Sequence, residues 1–359
     1  MAVGIATSNT TTIHKPKATT TTQNNSVLPS NQRWIHPHLS PSHDPLKGRR
    51  LQATAPIKAG ELLMVDVPYT VVPVVDDPQC SNELVCSNPH CRRKVPRHAP
   101  ARVGCPNSCL PEVVWCNRDS CYRAGKTLHD FECEWLRKYT HVLRTQEGEY
   151  FFSVLWMIVR VIAARYIEEQ SKHSVILNQR FSTGYKAMQE LCDNRGLWPA
   201  QDTLDWKDLA ERFICNDESP LPDKLPVEEV LNLFCQQESN SFGLYPRETG
   251  RMPQPGELFH EVEQYAAAVY PSASLANHSC FPNIVRKPDE YARMTFTAMR
   301  DIPAGEECCI SYFDLRQTVD YSDRQRYLRN RFYFGCLCER CEEEKPSEQE
   351  IWAALPFDL

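Results

Sequence analysis

Eight residues of the types that bind zinc fall into four short pairs between residues 86 and 133. They are Cys86 and Cys91, Cys105 and Cys109, Cys116 and Cys121, and His129 and Cys133. Tetrahedral zinc takes four nitrogen or sulfur ligands, and a short turn supplies two of them at a time. Four pairs therefore predict two zinc ions. Cys80 and His90 are alternative ligands in place of Cys86 or Cys91.

A second cysteine group, Cys336, Cys338 and Cys341, stands near the end of the sequence. A closed zinc site needs a fourth ligand. Cys280 is the best candidate because it follows the polar pair Asn277-His278. One zinc would then hold the C-terminal segment over this loop. The other cysteines, which we interpret as core or free thiols, are Cys80, Cys192, Cys215, Cys235, Cys308 and Cys309.

Composition narrows the class of protein to which these cysteines belong. The 359 residues carry a formal net charge of −6, with 42% hydrophobic and 24% charged residues. These values are typical of a globular protein and argue against a strongly basic nucleic-acid binder. The chain has 17 cysteines, many of them spaced closely in the sequence, and this pattern in so long a chain favours bound metal in a reducing compartment over disulfides. We recognise no secretory signal, and the apolar run from Phe151 to Val159 predicts a buried helix rather than a membrane span.

The hydrophobic pattern indicates which elements position these residues. We predict one β-rich domain that is interrupted by a cysteine-rich insert and by a helical insert, with a long amphipathic helix from Leu143 to Glu169. The predicted segments are a disordered tail at 1–45, the first strands at 46–79, the cysteine-rich module at 80–133, the helical insert at 134–235, the later strands at 236–315, a helix with the last cysteines at 316–345, and a tail at 346–359.

Three motifs in this order resemble the C-terminal half of a SET-domain lysine methyltransferase. They are Asn277-His278-Ser279-Cys280 followed by Pro282-Asn283, Gly305-Glu306-Glu307 followed by Tyr312, and the cysteines at 336–341. Residues 47–53 resemble the opening segment of that family, and residues 238–242 its Asn-Ser-Phe segment. Residues 115–133 resemble the end of a MYND zinc finger. The resemblance covers residues 46–343. It implies an α+β fold: a β-rich SET fold interrupted by a MYND-type finger and a helical insert, and closed by a post-SET zinc cluster.

The resemblance also implies roles for individual residues. Tyr312 would lie at the methyl-transfer centre, and Tyr270 and Phe332 would line the lysine channel. The first and third ligand pairs would share one zinc, and the second and fourth pairs another. With the cluster of Cys280, Cys336, Cys338 and Cys341, this makes three structural zinc ions. S-adenosylmethionine would be bound by Lys47, Gly48, Arg49, Asn240, Asn277, His278 and Phe334.

Two positions depart from the family pattern. Arg50 stands where a second glycine is usual, so its side chain either narrows the cofactor pocket or points away from it. Phe332 stands where the subgroup often has a tyrosine. We hypothesise that the missing hydroxyl permits higher methylation states of the target lysine.

Two functions follow as hypotheses. The first is a protein-lysine N-methyltransferase that acts on histone or non-histone proteins. The alternative is a catalytically weak or inactive SET fold that serves as a zinc-stabilised interaction scaffold. In either case we expect protein partners at the MYND-type finger, a monomer, no membrane binding and no sequence-specific DNA binding. The expected location is the nucleus, the cytoplasm or both.

Overall fold

The computed structural model describes residues 29–74, 83–171, 180–253 and 263–347. The strands are β1 (Trp34–Ile35), β2 (Leu39–Asp44), β3 (Gly48–Ala53), β4 (Leu62–Asp66), β5 (Thr70–Val72), β6 (Glu83–Val85), β7 (Lys94–Pro96), β8 (Val103–Gly104), β9 (Val114–Trp115), β10 (Ser241–Leu244), β11 (Ala266–Val269), β12 (Ile284–Pro288) and β13 (Met294–Ala298). The α-helices are α1 (Arg123–Gln146), α2 (Gly148–Ser171), α3 (Gly184–Gln189), α4 (Ala200–Phe213), α5 (Val227–Asn240), α6 (Tyr321–Phe332) and α7 (Glu339–Glu343).

Two small antiparallel sheets join segments that lie far apart in the sequence. One sheet has the order β1-β4-β13-β12, and the other has the order β10-β11-β5. The alternation of β13, with Met294, Phe296 and Ala298 buried and the two threonines half-buried, places one face of the first sheet on the core. Because β4 and β5 precede the cysteine-rich and helical inserts while β10 to β13 follow them, the chain closes one β-rich unit around both inserts. The predicted α+β class is confirmed.

Two helices that pack against each other, α1 and α2, occupy the part of the helical insert where one helix was predicted from Leu143 to Glu169. The chain turns at Gly148, whose φ of +86° suits glycine and strains other residues. The prediction was wrong because hydrophobic periodicity continues through this turn. α2 is long and apolar enough to cross a membrane by length and composition, but 67% of its apolar window is buried inside the protein. The predicted buried helix fits this placement.

The N-terminal tail predicted at 1–45 is too long, because part of it is folded. Trp34 and Ile35 pair with Val65 and Met64 of β4. β2 forms a hairpin with β3, from Leu39 opposite Ala53 to Asp44 opposite Gly48. The amino-acid composition of this segment does not predict these strands, because the strands with which they pair lie later in the chain. The remaining boundaries stay predictions, although helix α1 begins at Arg123, inside the predicted 80–133 module.

Hydrophobic side chains of the described residues form three separate cores. One core joins the helices to the cysteine-rich module and contains Trp115, Trp135 and Trp156. A second core lies between the small sheets and contains Phe296 and Tyr270. A third, smaller group surrounds the C-terminal cysteines. Tyr312, predicted to lie at the methyl-transfer centre, packs against both the second and the third core.

Candidate active site and metal centres

The four predicted ligand pairs of the cysteine-rich module form two groups of four. Cys86, Cys91, Cys116 and Cys121 form one group, and Cys105, Cys109, His129 and Cys133 form the other. Within each group all ligand atoms lie within 4.8 Å of one another. A tetrahedral Zn–S distance of about 2.3 Å places sulfurs about 3.8 Å apart. The Sγ atoms of Cys91 and Cys116 are 3.9 Å apart, so the donor set and its spacing fit zinc.

Local backbone structure prepares the first group. The side chain of Asn117 accepts hydrogen bonds from the backbone N–H groups of Ser120 and Cys121, and so starts the π-helical turn Arg118–Tyr122 between two ligands. His90 does not join either group: its backbone N–H instead donates to Asn88. The other predicted alternative, Cys80, lies outside the described residues. Cys86 and Cys91 are therefore the first pair that the structure supports.

The third group confirms the predicted proximity of Cys280 to the C-terminal cysteines. Cys280, Cys336, Cys338 and Cys341 converge with all Sγ atoms within 4.8 Å. Gln325 of α6 fixes the peptide of Cys336 by donating to its carbonyl and accepting from its N–H, at 2.8 and 3.1 Å. The fully buried guanidinium of Arg324 lies 3.8 Å from the Sγ of Cys341. Since four thiolates and one Zn²⁺ carry two negative charges, this arginine offsets charge that burial would otherwise penalise.

The loop that carries Asn277 and His278 is anchored by Asp66 at the end of β4. One oxygen of this carboxylate accepts the backbone N–H groups of Ser272 and Ala273 at 3.0 and 2.8 Å. Arg33 donates to the Ser272 hydroxyl at 2.9 Å. Burial raises the pKa of Asp66 to about 6, against the hydrogen bonds and the charge of Arg33. The first strands thus fix the start of the short 3-10 turn Ala273–Leu275 that precedes the Asn-His pair.

Asn277 connects this loop to the opening segment. Its Nδ2 donates to the carbonyl of Arg49 at 3.1 Å and to Glu307 at 2.8 Å. The other oxygen of Glu307 accepts from the Nζ of Lys47 at 2.7 Å. Burial would lower the pKa of Lys47, but the hydrogen bond and charge of Glu307 outweigh it and raise the pKa. Glu307 therefore connects Lys47 to Asn277, and Asn277 in turn connects to Arg49, so that these three predicted cofactor residues lie together.

His278 lies between the third cysteine group and Tyr312. Its Nδ1 is 3.0 Å from the backbone N of Tyr312, and its Nε2 is 3.2 Å from the Sγ of Cys280. Burial lowers the pKa of His278 to about 3, so the ring is neutral. Because the backbone N–H must donate, Nδ1 accepts and the ring hydrogen sits on Nε2, directed at Cys280. The histidine side chain thus supports the protein framework.

Aromatic rings surround Tyr312. The ring of Phe332, the last residue of α6, lies 4.9 Å from that of Tyr312, and the ring of Phe334 lies 6.3 Å away. Phe334 is also 6.1 Å from the imidazole of His278. Burial raises the pKa of the Tyr312 hydroxyl, so this group stays protonated and can donate or accept a hydrogen bond. Such a site can orient an amine and hold a cation against aromatic faces.

Two other predicted site residues have structural contacts of their own. Tyr270 is fully buried in the sheet core, where its hydroxyl donates to the carbonyl of Ala292 and its ring packs against Phe242. The structure therefore does not bring Tyr270 into the group around Tyr312, and its assignment to a channel is not supported. The amide of Asn240 donates to the carbonyls of Cys192 and Gln236, both at 2.7 Å.

Arg50 points away from the site. Its guanidinium donates to Ser42 and forms an ion pair with Asp44, at 3.1 and 3.0 Å, across the β2–β3 hairpin. The neighbouring Gly48 has a φ of +74°, and an added Cβ there would have no atom within 4 Å. Open space beside this backbone suits a cofactor loop that lets a ligand approach closely. The residues of the opening segment therefore fit S-adenosylmethionine.

Sequence reasoning missed residues that complete the site. Glu307 stands in the Gly305-Glu306-Glu307 motif but had no assigned role, and Asp66 is a single acid at the end of β4. Only their three-dimensional partners reveal what they do. A cavity beside Arg49 and Leu275 is also lined by Phe181 and Glu190 of the helical insert. No spacing rule could have connected the insert with the opening segment. The Gly-Glu-Glu motif was the one available signal for Glu307.

Comparisons with known proteins place the chain in a family. The family model described as "SET domain" matches residues 48–313. A SET and MYND domain-containing protein of Dictyostelium discoideum is 25% identical over 85% of this chain and 60% of its own length. Histone-lysine N-methyltransferase SMYD3 of Mus musculus is 25% identical over 87% of this chain and 65% of its own. A potential protein lysine methyltransferase, SET6 of Saccharomyces cerevisiae, is 33% identical over 36% of this chain and 32% of its own. The chain thus spans about two thirds or less of each relative. It belongs to the SET domain family.

Proposed function

We propose that this protein is an S-adenosylmethionine-dependent protein-lysine N-methyltransferase. The observation that carries the proposal is the position of Tyr312, which is held by His278 and enclosed by Phe332 and Phe334. The cofactor would supply an electrophilic methyl group on a sulfonium. Lys47, Arg49 and Asn277, joined through Glu307, are the residues that would hold it.

The chemistry needs alignment more than covalent assistance. A neutral lysine amine would form the new N–C bond with its lone pair as the C–S bond breaks, S-adenosylhomocysteine would leave, and a proton of the resulting ammonium would pass to solvent. The hydroxyl of Tyr312 and nearby carbonyls orient the amine, and a site enclosed by aromatic side chains disfavours the ammonium form. Phe332 and Phe334 offer their faces to the methylated cation.

The scaffold alternative depended on Arg50. The Arg50 side chain pairs with Asp44 and Ser42 and so points away from the predicted cofactor pocket. This supports the enzyme over the scaffold. Protein substrates are inferred from the relatives whose names state lysine methylation. The three cysteine-rich metal groups support a reducing location in the nucleus or cytoplasm. Monomeric state and binding of protein partners at the finger stay proposals.

The test is a methyl-transfer assay with labelled cofactor on a lysine-peptide and histone panel. Tyr312→Phe should lower turnover by about 10²–10³-fold, as expected when one preorganised hydrogen-bonding group is lost from an active site. S-adenosylhomocysteine affinity should stay within about two-fold of the parent, since the hydroxyl acts on the amine. Tyr327→Phe, on the exposed side of α6, serves as the matched control and should keep full turnover. Equal turnover of Tyr312→Phe and the parent would refute the assignment.

A further inference from the structure

A buried carboxylate, Glu132, links the second metal group of the finger to the rest of the protein. It lies on α1, three residues after the ligand His129, with no exposed surface. Its oxygens lie 3.1 Å from the Nδ1 of His129, 2.7 Å from the Nε1 of Trp156, and 3.0 Å from both the Nε and the Nη2 of Arg160. A buried carboxylate with four such partners is fully satisfied.

His129 spans the distance between the metal group and this carboxylate. Its Nε2 lies 3.1 Å from the Sγ of Cys105 and 3.5 Å from the Sγ of Cys109. A neutral imidazole that offers its Nε2 lone pair to a metal carries its hydrogen on Nδ1. Glu132 accepts a hydrogen bond from this Nδ1–H. The hydrogen bond fixes the tautomer and orientation of the ring and makes His129 a better metal ligand.

Arg160 carries the connection into the SET fold. It extends from the middle of α2, buried, and its Nη1 donates to the carbonyl of Val71. Val71 belongs to β5, which forms one edge of the sheet β10-β11-β5. An edge strand exposes unpaired carbonyls, and Arg160 satisfies one of them inside the protein. The guanidinium charge is itself tolerated there because Glu132 balances it.

Strand β5 in turn supports the strand that leads to the catalytic loop. Val71 lies opposite Ala268 of β11, and the N–H of Tyr69 donates to the carbonyl of Val269 at 2.8 Å. β11 ends at Val269, three residues before the Ser272 N–H that Asp66 holds. One continuous set of contacts therefore runs from the finger to the loop of Asn277.

We propose that Glu132 and Arg160 are positioning residues that couple zinc at Cys105, Cys109, His129 and Cys133 to strand β5 of the SET fold. The finger is then a structural part of the site-forming unit, in addition to any protein partner that it binds. Only the cofactor-affinity readout below depends on the proposed methyltransferase function; zinc release and amide exchange do not.

The first experiment compares zinc release from Glu132→Gln and Glu134→Gln in the full chain. Glu134 lies on the same helix, is exposed and pairs with Arg137, so it is a matched control. Zinc transfer to a chromophoric chelator is followed in equivalents per chain. Glu132→Gln should release one equivalent 10–100-fold faster than the parent, while the others keep their rates. Release identical to that of Glu134→Gln would overturn the proposal.

The second experiment follows amide hydrogen exchange at residues 70–72, with the strand Ile284–Pro288 as internal reference. Arg160→Lys keeps the charge but loses the fork that contacts both Glu132 and Val71, and it serves if Glu132→Gln does not fold. Exchange should accelerate at 70–72 in either variant and stay unchanged at the reference strand. S-adenosylhomocysteine affinity should fall in parallel. Unchanged exchange at 70–72 would refute the coupling, whereas absent cofactor binding in the parent would refute only the proposed function.

Discussion

The imidazole of His278 bridges the Sγ of Cys280 and the backbone N–H of Tyr312, at 3.2 and 3.0 Å. The loop of the third cysteine group and the tyrosine proposed to act in methyl transfer are thus held by one neutral ring. The sequence places these residues in two motifs separated by more than thirty positions. The bridge means that the orientation of Tyr312 depends on the same loop that closes the third cysteine group.

Replacing this ring should affect both stability and turnover. In His278→Ala the buried N–H of Tyr312 loses its acceptor, which costs about 1–3 kcal/mol, and a cavity adds to the loss. Urea unfolding followed by fluorescence measures the change, with Thr295→Ala on the half-buried face of β13 as control. Turnover should fall more than the control's at temperatures where both variants are folded. Parent-like stability and turnover in His278→Ala would show that the bridge is dispensable.

Glu307 should control cofactor affinity. Glu307→Gln keeps an acceptor for one partner but directs an amide N–H₂ at either Lys47 or Asn277, which loosens the opening segment. We expect affinity for S-adenosylhomocysteine, measured by titration calorimetry, to fall about ten-fold, equivalent to about 1.4 kcal/mol. Glu290→Gln, an exposed acid near Arg93, is the control. An unchanged dissociation constant for S-adenosylhomocysteine would show that Glu307 does not contribute to cofactor binding.

Asp66 should give the protein a distinct pH dependence of stability. Its folded pKa of about 6 lies above the ordinary 3.8, so the native state binds more protons than the unfolded state between these values. This contribution is therefore fully present below about pH 4 and is lost as the pH rises through 6, for a total of about 3 kcal/mol.

The neutral variant Asp66→Asn tests this dependence directly. Its side-chain oxygen can accept from Ser272 and Ala273 at every pH, so the difference in unfolding free energy between variant and parent should change between pH 4 and pH 7. Urea titrations across that range measure it, and the variant should gain relative to the parent as the pH rises. A difference that does not vary with pH would mean that Asp66 titrates near its ordinary pKa.

Some of this site could be predicted from the sequence, and some could not. We could predict the ligand pairs between Cys86 and Cys133, and the proximity of Cys280 to the last three cysteines. Ligand chemistry restricts which residue types can meet at such a site. The strand at Trp34–Ile35 was missed because its partner, β4, is what makes it a strand.

The role of Tyr270 in the lysine channel stays a prediction, since the contacts that the structure shows for it, with Ala292 and Phe242, belong to the core. One further error has a local cause. The break between α1 and α2 depends on the backbone conformation of one glycine, Gly148, which periodicity does not register. A local sequence pattern predicts metal ligands well, because directional bonding restricts which residue types can meet. It predicts an element poorly where a residue distant in sequence determines the conformation.

The third cysteine group should be separable from the two groups of the finger. Cys280→Ser removes one thiolate ligand, and native mass spectrometry should show two zinc ions instead of three. Because Gln325 and Arg324 tie α6 to this group, the helix that carries Phe332 should also become more susceptible to limited proteolysis. Cys192→Ser, an exposed cysteine outside all three groups, should keep three zinc ions. Three tightly bound zinc ions in Cys280→Ser would mean that Cys280 is not a ligand.

Phe332 should set how many methyl groups the enzyme transfers. Its ring lies 4.9 Å from that of Tyr312, so a hydroxyl added in Phe332→Tyr would enter the space around the amine and could hold a water or the amine itself. The parent should form dimethylated and trimethylated lysine on a good peptide, and Phe332→Tyr should stop mainly at monomethyl-lysine. Mass spectrometry of the peptide products over a full time course measures this. Tyr327→Phe, whose ring lies 6.3 Å from Phe332, should leave the product distribution unchanged. A parent enzyme that stops at monomethyl-lysine would refute the hypothesis, because Phe332 would then give no additional room to the methylated amine.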